Sequence, residues 1–255
     1  MALYVEKNQI ITVASGHSGH FGSRGNGYKE EELTHNLAVE ICKKLNNNGY
    51  KAINVSPKGS YTTADKQFKK EVENANKYNS VLHLCLHFNA FDKKAMGTET
   101  WITARGGRSE IFGGQINTEI VKIGFVNRGV RVSNKLYVPK MTKSPCCLVE
   151  CCFIDSLDME KYDINKMSNA IIKGICGGYW DKDTKIKYKV ICGTFNNKQL
   201  ATNRKTELIR QGVDAYVLYV DNFYKVVCGS FRCIKNAEIM CLKLRNLGYN
   251  VEITQ

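Results

Sequence analysis

The sequence predicts an α/β protein: a central, twisted, mostly parallel sheet with helices on both faces, followed by a small C-terminal α+β domain of ferredoxin-like βαββαβ order. Three observations predict it. Apolar strand-like runs alternate with amphipathic stretches through the first two thirds of the chain, the signature of layered α/β packing. A short polar stretch without periodicity, Trp180-Asp181-Lys182-Asp183-Thr184-Lys185-Ile186-Lys187, then breaks that rhythm. Beyond it Tyr188-Lys189-Val190-Ile191-Cys192-Gly193-Thr194-Phe195 returns 36 residues later as Tyr224-Lys225-Val226-Val227-Cys228-Gly229-Ser230-Phe231. The expected boundaries are a first domain over residues 1–180, a linker over 181–187 and a second domain over 188–255.

Each element has its own sequence reason. Residues 9–14 form a first buried strand, and a Gly-rich loop carrying His17 follows its carboxyl end, where open α/β sheets place their sites. Helical spacing runs through Leu33, Leu37, Ile41 and Leu45 and stops near Asn48-Gly49, which puts Glu32 in the first turn. A strand over 51–55, a helix over 63–78 and a core strand over 81–88 come next, with His87 at the carboxyl end of the last. Glu150 sits in a further strand-like run among Cys146, Cys147, Cys151 and Cys152. In the tail, each copy of the repeat reads as strand, helix, strand, so two copies make βαββαβ. The register holds without a gap, since Ala201, Leu208 and Gly212 meet Ala237, Leu244 and Gly248. Two copies are too few to stack as a solenoid.

Composition limits the function classes. No apolar run approaches the roughly 20 residues that span a bilayer, and the opening residues lack a secretory pattern. The expectation is synthesis in the cytoplasm without a signal peptide, no membrane partner, and action after release. The 11 cysteines lack the paired spacing of a zinc ribbon, and buried reduced thiols are expected. A formal net charge of +13 points to a polyanionic partner, and the 12 basic against 5 acidic residues from Lys185 onward make the tail the more basic part for its size.

Chemistry enters with four residues. His17, Glu32 and His87 offer two imidazoles and a carboxylate, the kind of donor set that catalytic zinc takes while leaving a position for water. Taken singly, each has a plainer reading: His17 as a loop histidine, Glu32 as a solvated carboxylate at a helix start beside Glu30 and Glu31. As an ordered set they sit within Gly-His-x-Gly, Glu32 to Ala38 (Glu-x-x-x-Asn-Leu-Ala), His87 to Ala90 (His-x-Asn-Ala), Gly97 to Glu99, Asn127 to Val130 (Asn-Arg-Gly-Val) and Leu148 to Ile154 (Leu-Val-Glu-x-x-Phe-Ile). Over about residues 8 to 180 this resembles the zinc-dependent N-acetylmuramoyl-L-alanine amidases of the amidase 3 family.

The resemblance implies His17, Glu32 and His87 as ligands of Zn²⁺, and Glu150 as the catalytic glutamate. The implied reaction is hydrolysis of the amide between N-acetylmuramic acid and L-alanine in peptidoglycan. Glu150, amid Leu148, Val149 and Phe153, is expected to have its pKa raised by desolvation, which suits a general base near neutrality. Glu99 matches a recurrent family glutamate; it and Asn89 are reserve candidates for supporting the ligands or touching substrate. His20, His35 and His83 have no family counterpart, although His83 shares a strand face with His87. The chain departs from the pattern where Ala14-Ser15 replaces Asp-Pro, and where Lys70 and Glu71 take the place of a frequent arginine. The stretch between Glu99 and Asn127 is too short for the inhibitory helical insertion that some members carry.

The tail resembles SPOR domains, which bind peptidoglycan glycan strands. Tyr188, Phe195, Tyr224 and Phe231 are the aromatic candidates for stacking on sugars. An RNA-recognition layer has the same topology, but the Gly-aromatic pattern of its third strand is missing between Val226 and Phe231, so no nucleic-acid partner is expected. The expected whole is a wall-lytic enzyme of phage endolysin type. The alternatives are a host autolysin acting in mother-cell lysis during sporulation and a peptidoglycan-binding protein without catalysis.

Overall fold

The computed structural model describes residues 2–18, 21–177, 188–231 and 234–254. The chain divides into two compact units, Met1–Gly178 and Tyr179–Gln255. The expected linker over 181–187 and His20 lie outside the described residues.

In the first unit the order is β1 (Ile10–Ser15), a small hairpin β2 (Arg24–Gly25) and β3 (Tyr28–Lys29), α1 (Glu30–Asn47), β4 (Lys51–Asn54), α2 (Ala64–Ala75) and β5 (Ser80–Asn89). Then follow β6 (Thr98–Ile102), α3 (Arg108–Val121), β7 (Asn127–Val132), α4 (Tyr137–Met141), β8 (Cys146–Phe153), a 3₁₀ turn (Leu157–Glu160) and α5 (Ile164–Cys176). Six strands make one sheet in the order β4-β1-β5-β8-β6-β7. All neighbours run parallel except β6 against β8, so the sheet is mostly parallel as its sequence predicts. Helix α5 packs against both α1 and α3, while α2 packs with α4.

The centre of the sheet is where the sequence is most apolar. In β5, Leu82, Leu84 and Leu86 are fully buried, and in β8 Cys147, Val149, Cys151 and Cys152 are too, as expected of strands covered on both faces. All ten described cysteines are buried and free. Helix α2 is shorter than its periodicity suggests: Thr63 caps it, its side chain accepting from Lys66 N, and the helix gives way at Asn76.

The second unit is β9 (Tyr188–Phe195), α6 (Lys198–Arg210), β10 (Tyr216–Val220), β11 (Phe223–Phe231), α7 (Ile234–Asn246) and β12 (Glu252–Thr254). Its sheet order is β10-β11-β9-β12, with every pairing antiparallel. Asp221 and Asn222, both at positive φ, make the tight turn between β10 and β11. The repeat becomes a pseudo-symmetric core: Val190, Cys192, Ala201 and Leu208 from the first copy meet Val226, Cys228, Ala237 and Leu244 from the second.

The four aromatics expected to stack on sugars are all partly buried. Tyr188, Phe195, Tyr224 and Phe231 all pack against this core. Phe195 and Phe231 do so by folding onto their own Gly-x-Phe motif: Gly193 and Gly229 have φ of 115° and 147°, and a Cβ on either would stand 2.7 or 2.6 Å from the Phe ring. The motif is a packing device, with glycine required by both backbone and space. Among the described residues, the aromatic rings this unit exposes are Tyr216, Tyr219 and Phe223.

Candidate metal centre and catalytic cleft

Parallel strands bring their carboxyl ends to one rim, and β1, β5 and β8 each carry a chemical group there. His17 lies two residues past β1, in a loop that α2 grips: Gln67 Nε2 donates to Gly16 O at 2.8 Å, and Ser18 N donates to Gln67 Oε1 at 3.0 Å. Gly16 lets that loop cross over β5, because a Cβ there would fall 2.0 Å from His87 Nε2. The two imidazoles meet edge to face with ring centres 4.9 Å apart.

The carboxylate that joins them is Glu30, not Glu32. Glu30 is 2% exposed; its Oε1 lies 3.0 Å from His87 Nδ1, and its Oε2 lies 3.8 Å from His17 Nε2. Ser23 N and Phe88 N hold the same carboxylate at 2.6 and 3.0 Å. Glu32 turns to solvent, its side chain 60% exposed, and pairs with Lys29 at 2.6 Å. The reason is helical phase. The buried stripe of α1 runs Leu45, Ile41, Leu37, Thr34, Glu30, whereas a residue two positions on from Glu30 points roughly 200° round the helix. Tracing that stripe back through the polar but buried Thr34 is the sequence signal that finds Glu30.

His17, Glu30 and His87 form a group whose ligand atoms lie within 4.8 Å of one another. Burial and the nearby charge of His87 pull His17 down to about 4, so it is neutral. Burial opposes ionisation of the other two, but their hydrogen bond prevails: Glu30 falls to about 2, while His87, also facing the charges of Glu150 and Glu71, rises to about 9. The donor set fits a metal. Ligands about 2.0–2.1 Å from a tetrahedral centre stand ~3.3 Å apart, and the 3.0 and 3.8 Å separations bracket that value. His17 Nδ1 is buried with no hydrogen-bond partner, and a metal entering the group would displace the proton held by His87.

Glu150 stands beside this group, paired in register with His87 on one side and with Glu99 on the other. Among the described residues its Oε2 is buried without a hydrogen-bond partner. Burial, moderated by the His87 charge and reinforced by Glu30 and Glu99, lifts its carboxyl to about 7. Glu99 is saturated: Asn89 Nδ2, Trp101 Nε1 and Arg128 Nε donate to it at 3.3, 3.1 and 2.9 Å. A cleft of about 370 Å³ opens over these groups, with His87, Asn89, Glu99 and Glu150 as its polar floor and Phe68, Trp101, Leu136, Tyr137, Val138 and Leu148 as an apolar wall.

The remaining histidines divide cleanly. His35 is exposed on α1. His83 is wholly buried, with Nε2 at 3.2 Å from Glu71 Oε1 and Nδ1 at 3.0 Å from Thr12 Oγ1. Glu71 thus has a buried imidazole partner, a pairing that neither position announces alone. Cys85 Sγ lies 3.3 Å from His87 Nε2.

Comparison with known proteins gives the following. The family model "N-acetylmuramoyl-L-alanine amidase" matches residues 11–179, and the model "SPOR domain" matches residues 184–255. An uncharacterized protein of Clostridium perfringens (strain 13 / Type A) is 32% identical over 203 residues, 77% of this chain and 54% of that protein. The N-acetylmuramoyl-L-alanine amidase LytC of Bacillus subtilis (strain 168) is 30% identical over 170 residues, 65% of this chain and 32% of that protein. This chain therefore spans about half or less of the curated relatives it matches. Among solved structures, the catalytic domain of an endolysin targeting Clostridia Difficile superposes with a TM-score of 0.60 at 21% identity, over 66% of this chain and 96% of that one.

Proposed function

The chain belongs to the N-acetylmuramoyl-L-alanine amidase family, and from that premise we propose that it is a metal-dependent peptidoglycan hydrolase, cutting the amide between N-acetylmuramic acid and the L-alanine of the stem peptide. The observation that carries this reading is the convergence of His17, Glu30 and His87 on one rim with the partnerless Glu150 oxygen beside them. Those three residues would hold the metal, which we take to be zinc because two imidazoles, one carboxylate and an open position are its usual catalytic set. The chemistry it supplies when bound is Lewis acidity, which lowers the pKa of water and polarises a carbonyl.

The protein's own groups do the rest. Glu150 Oε2, held near neutrality by burial, accepts the proton of the attacking water and returns it to the departing alanine nitrogen. The apolar wall excludes bulk water from one side of the cleft. The second unit, matched to the SPOR domain, would hold the enzyme on glycan strands and is the proposed cell-wall anchor. One cutting unit and one wall-binding unit in a single chain support an endolysin-type lytic role.

The test is digestion of purified Gram-positive walls with and without chelator, with zinc add-back. New amino-terminal alanine without new reducing ends, lost on chelation and restored by zinc, is the expected result. Walls that are bound while no amide is cut under any metal would leave a wall-binding protein without this reaction.

A further inference from the structure

Strand β7 carries two arginines that the proposed mechanism does not use. Arg128 Nε donates to Glu99 Oε2 at 2.9 Å, and Arg131 Nε lies 3.7 Å from the same oxygen. Arg128 also lies over the Phe153 ring, with its guanidinium carbon 4.8 Å from the centroid, which fixes its plane. Both reach Glu99 on the neighbouring β6, which shares the cleft floor with Glu150; Gly129, at φ 83°, lies between them on β7, where the pairing with β6 shifts register. Among the described residues Arg128 makes no other hydrogen bond and Arg131, at ion-pair distance only, makes none, and their side chains are 33% and 49% exposed. Glu99 neutralises one of the two charges and orients both forks. One net positive charge and the Nη edges are left over, the geometry that suits a carboxylate.

Distance decides which carboxylate. Neighbouring strands are ~4.8 Å apart, so guanidiniums touching Glu99, the direct partner of Glu150, lie on the order of 5–8 Å from the general base. In the amidase reading, on which this inference rests, the scissile amide sits at Glu150. An extended chain advances about 3.3–3.6 Å per residue. The second stem residue, a glutamate linked through its side-chain carboxyl, therefore presents its free α-carboxylate roughly 7 Å from the reacting carbon. We propose that Arg128 and Arg131 bind that α-carboxylate and select stem peptides whose second residue is acidic over those whose carboxyl has been amidated.

The experiment measures binding and cleavage on the full chain, loaded with zinc. Binding is read by calorimetry with the dipeptide L-Ala-γ-D-Glu and its α-carboxamide. Cleavage is read with the corresponding muramyl dipeptides. The carboxylate form should bind and be cut about 10- to 100-fold better. Arg128→Gln and Arg131→Gln should each bring it toward the carboxamide value without changing the latter. Arg128→Lys should keep part of the preference, since it retains charge but not the fork. Arg131→Gln, on the more exposed side chain, keeps the test alive if Arg128→Gln fails to fold. Equal binding of the two dipeptides, or a preference that survives both substitutions, overturns the assignment. A binding preference lost in the variants, with no cleavage by the wild type, upholds the arginine pair and sinks the amidase reading. Cleavage without preference does the reverse.

Discussion

The two units of this chain bury different things. In the first, Thr12, Glu30, Gln67, Glu71, His83, His87, Glu99 and Asp158 are all under a tenth exposed. In the second, no described polar or charged side chain is buried, and the one tyrosine that is, Tyr249, reaches Glu207 with its hydroxyl at 2.9 Å. Burying a polar group costs unless it is hydrogen-bonded, so the first unit accepts a penalty that the second avoids. It does so in two places, at the rim where His17, Glu30 and His87 converge, and beneath it, where Glu71 and His83 satisfy each other. The second unit has an apolar and thiol core.

The largest effect that can break this comparison lies in two glutamates on one helix turn. Glu30→Gln should abolish measurable metal binding, with activity falling by more than about 100-fold, since even partners outside the ligand set cost 10–100-fold. Glu32→Gln should change activity less than about twofold, because an exposed pair like Glu32 with Lys29 is worth only ~0.2–1 kcal/mol. Metal stoichiometry by atomic spectroscopy decides between them. Stoichiometric metal in the Glu30 variant together with loss in the Glu32 variant would restore the assignment read from sequence.

Next is Glu150. Between the ordinary carboxyl value of 4.5 and about 7, the folded protein holds a proton that the unfolded chain has released. Stability therefore falls as pH rises through that window, while activity rises through it, since the base form is the one that accepts a proton. Glu150→Gln should lose about 10²–10⁴-fold in rate and gain about 1–3 kcal/mol of stability above pH 7. Denaturant melts at pH 5 and pH 8 check the sign. A stability difference between variant and wild type that is the same at pH 5 and pH 8 would mean that Glu150 is not desolvated in the folded protein.

Much of this was legible in the sequence, for reasons that can be located. His17 and His87 stand at ends of apolar runs, and a parallel sheet sends such ends to one rim. Glu150 sits in a run too apolar to be anything but a central strand. The repeat announces its own core, because positions that coincide at a fixed offset must be structurally equivalent. What was hidden is phase. Three consecutive glutamates give no hint of which one faces inward until the stripe is followed through Thr34, a residue whose polarity disguises its burial. The tail's aromatics were hidden the same way. Strict alternation puts Phe195 on the face opposite Cys192, but the positive φ of Gly193 turns the chain so that the ring folds back onto the core. The pairing of Glu71 with His83 joins two elements, and only the fold brings them together.

The smallest effect sharpens the second half of the comparison. If the tail adheres through its surface, the aromatic rings it exposes, not those in the repeat motif, carry the contact. Phe195→Ala and Phe231→Ala should each cost about 2–4 kcal/mol of stability, near the range for large-to-small core changes because both rings are partly buried. They should weaken wall binding only in proportion to the unfolded fraction. Tyr219, 58% exposed and tilted against Tyr224 with ring centres 4.6 Å apart, should behave oppositely. Its replacement by alanine should shift stability by no more than ~0.5 kcal/mol, the usual range for surface changes, yet reduce binding to glycan strands several-fold. Pull-down on purified walls, with folded fraction measured in parallel by circular dichroism, separates the two kinds of loss. A Tyr219 variant that binds normally, beside a folded Phe195 variant that does not, would return the recognition surface to the motif residues.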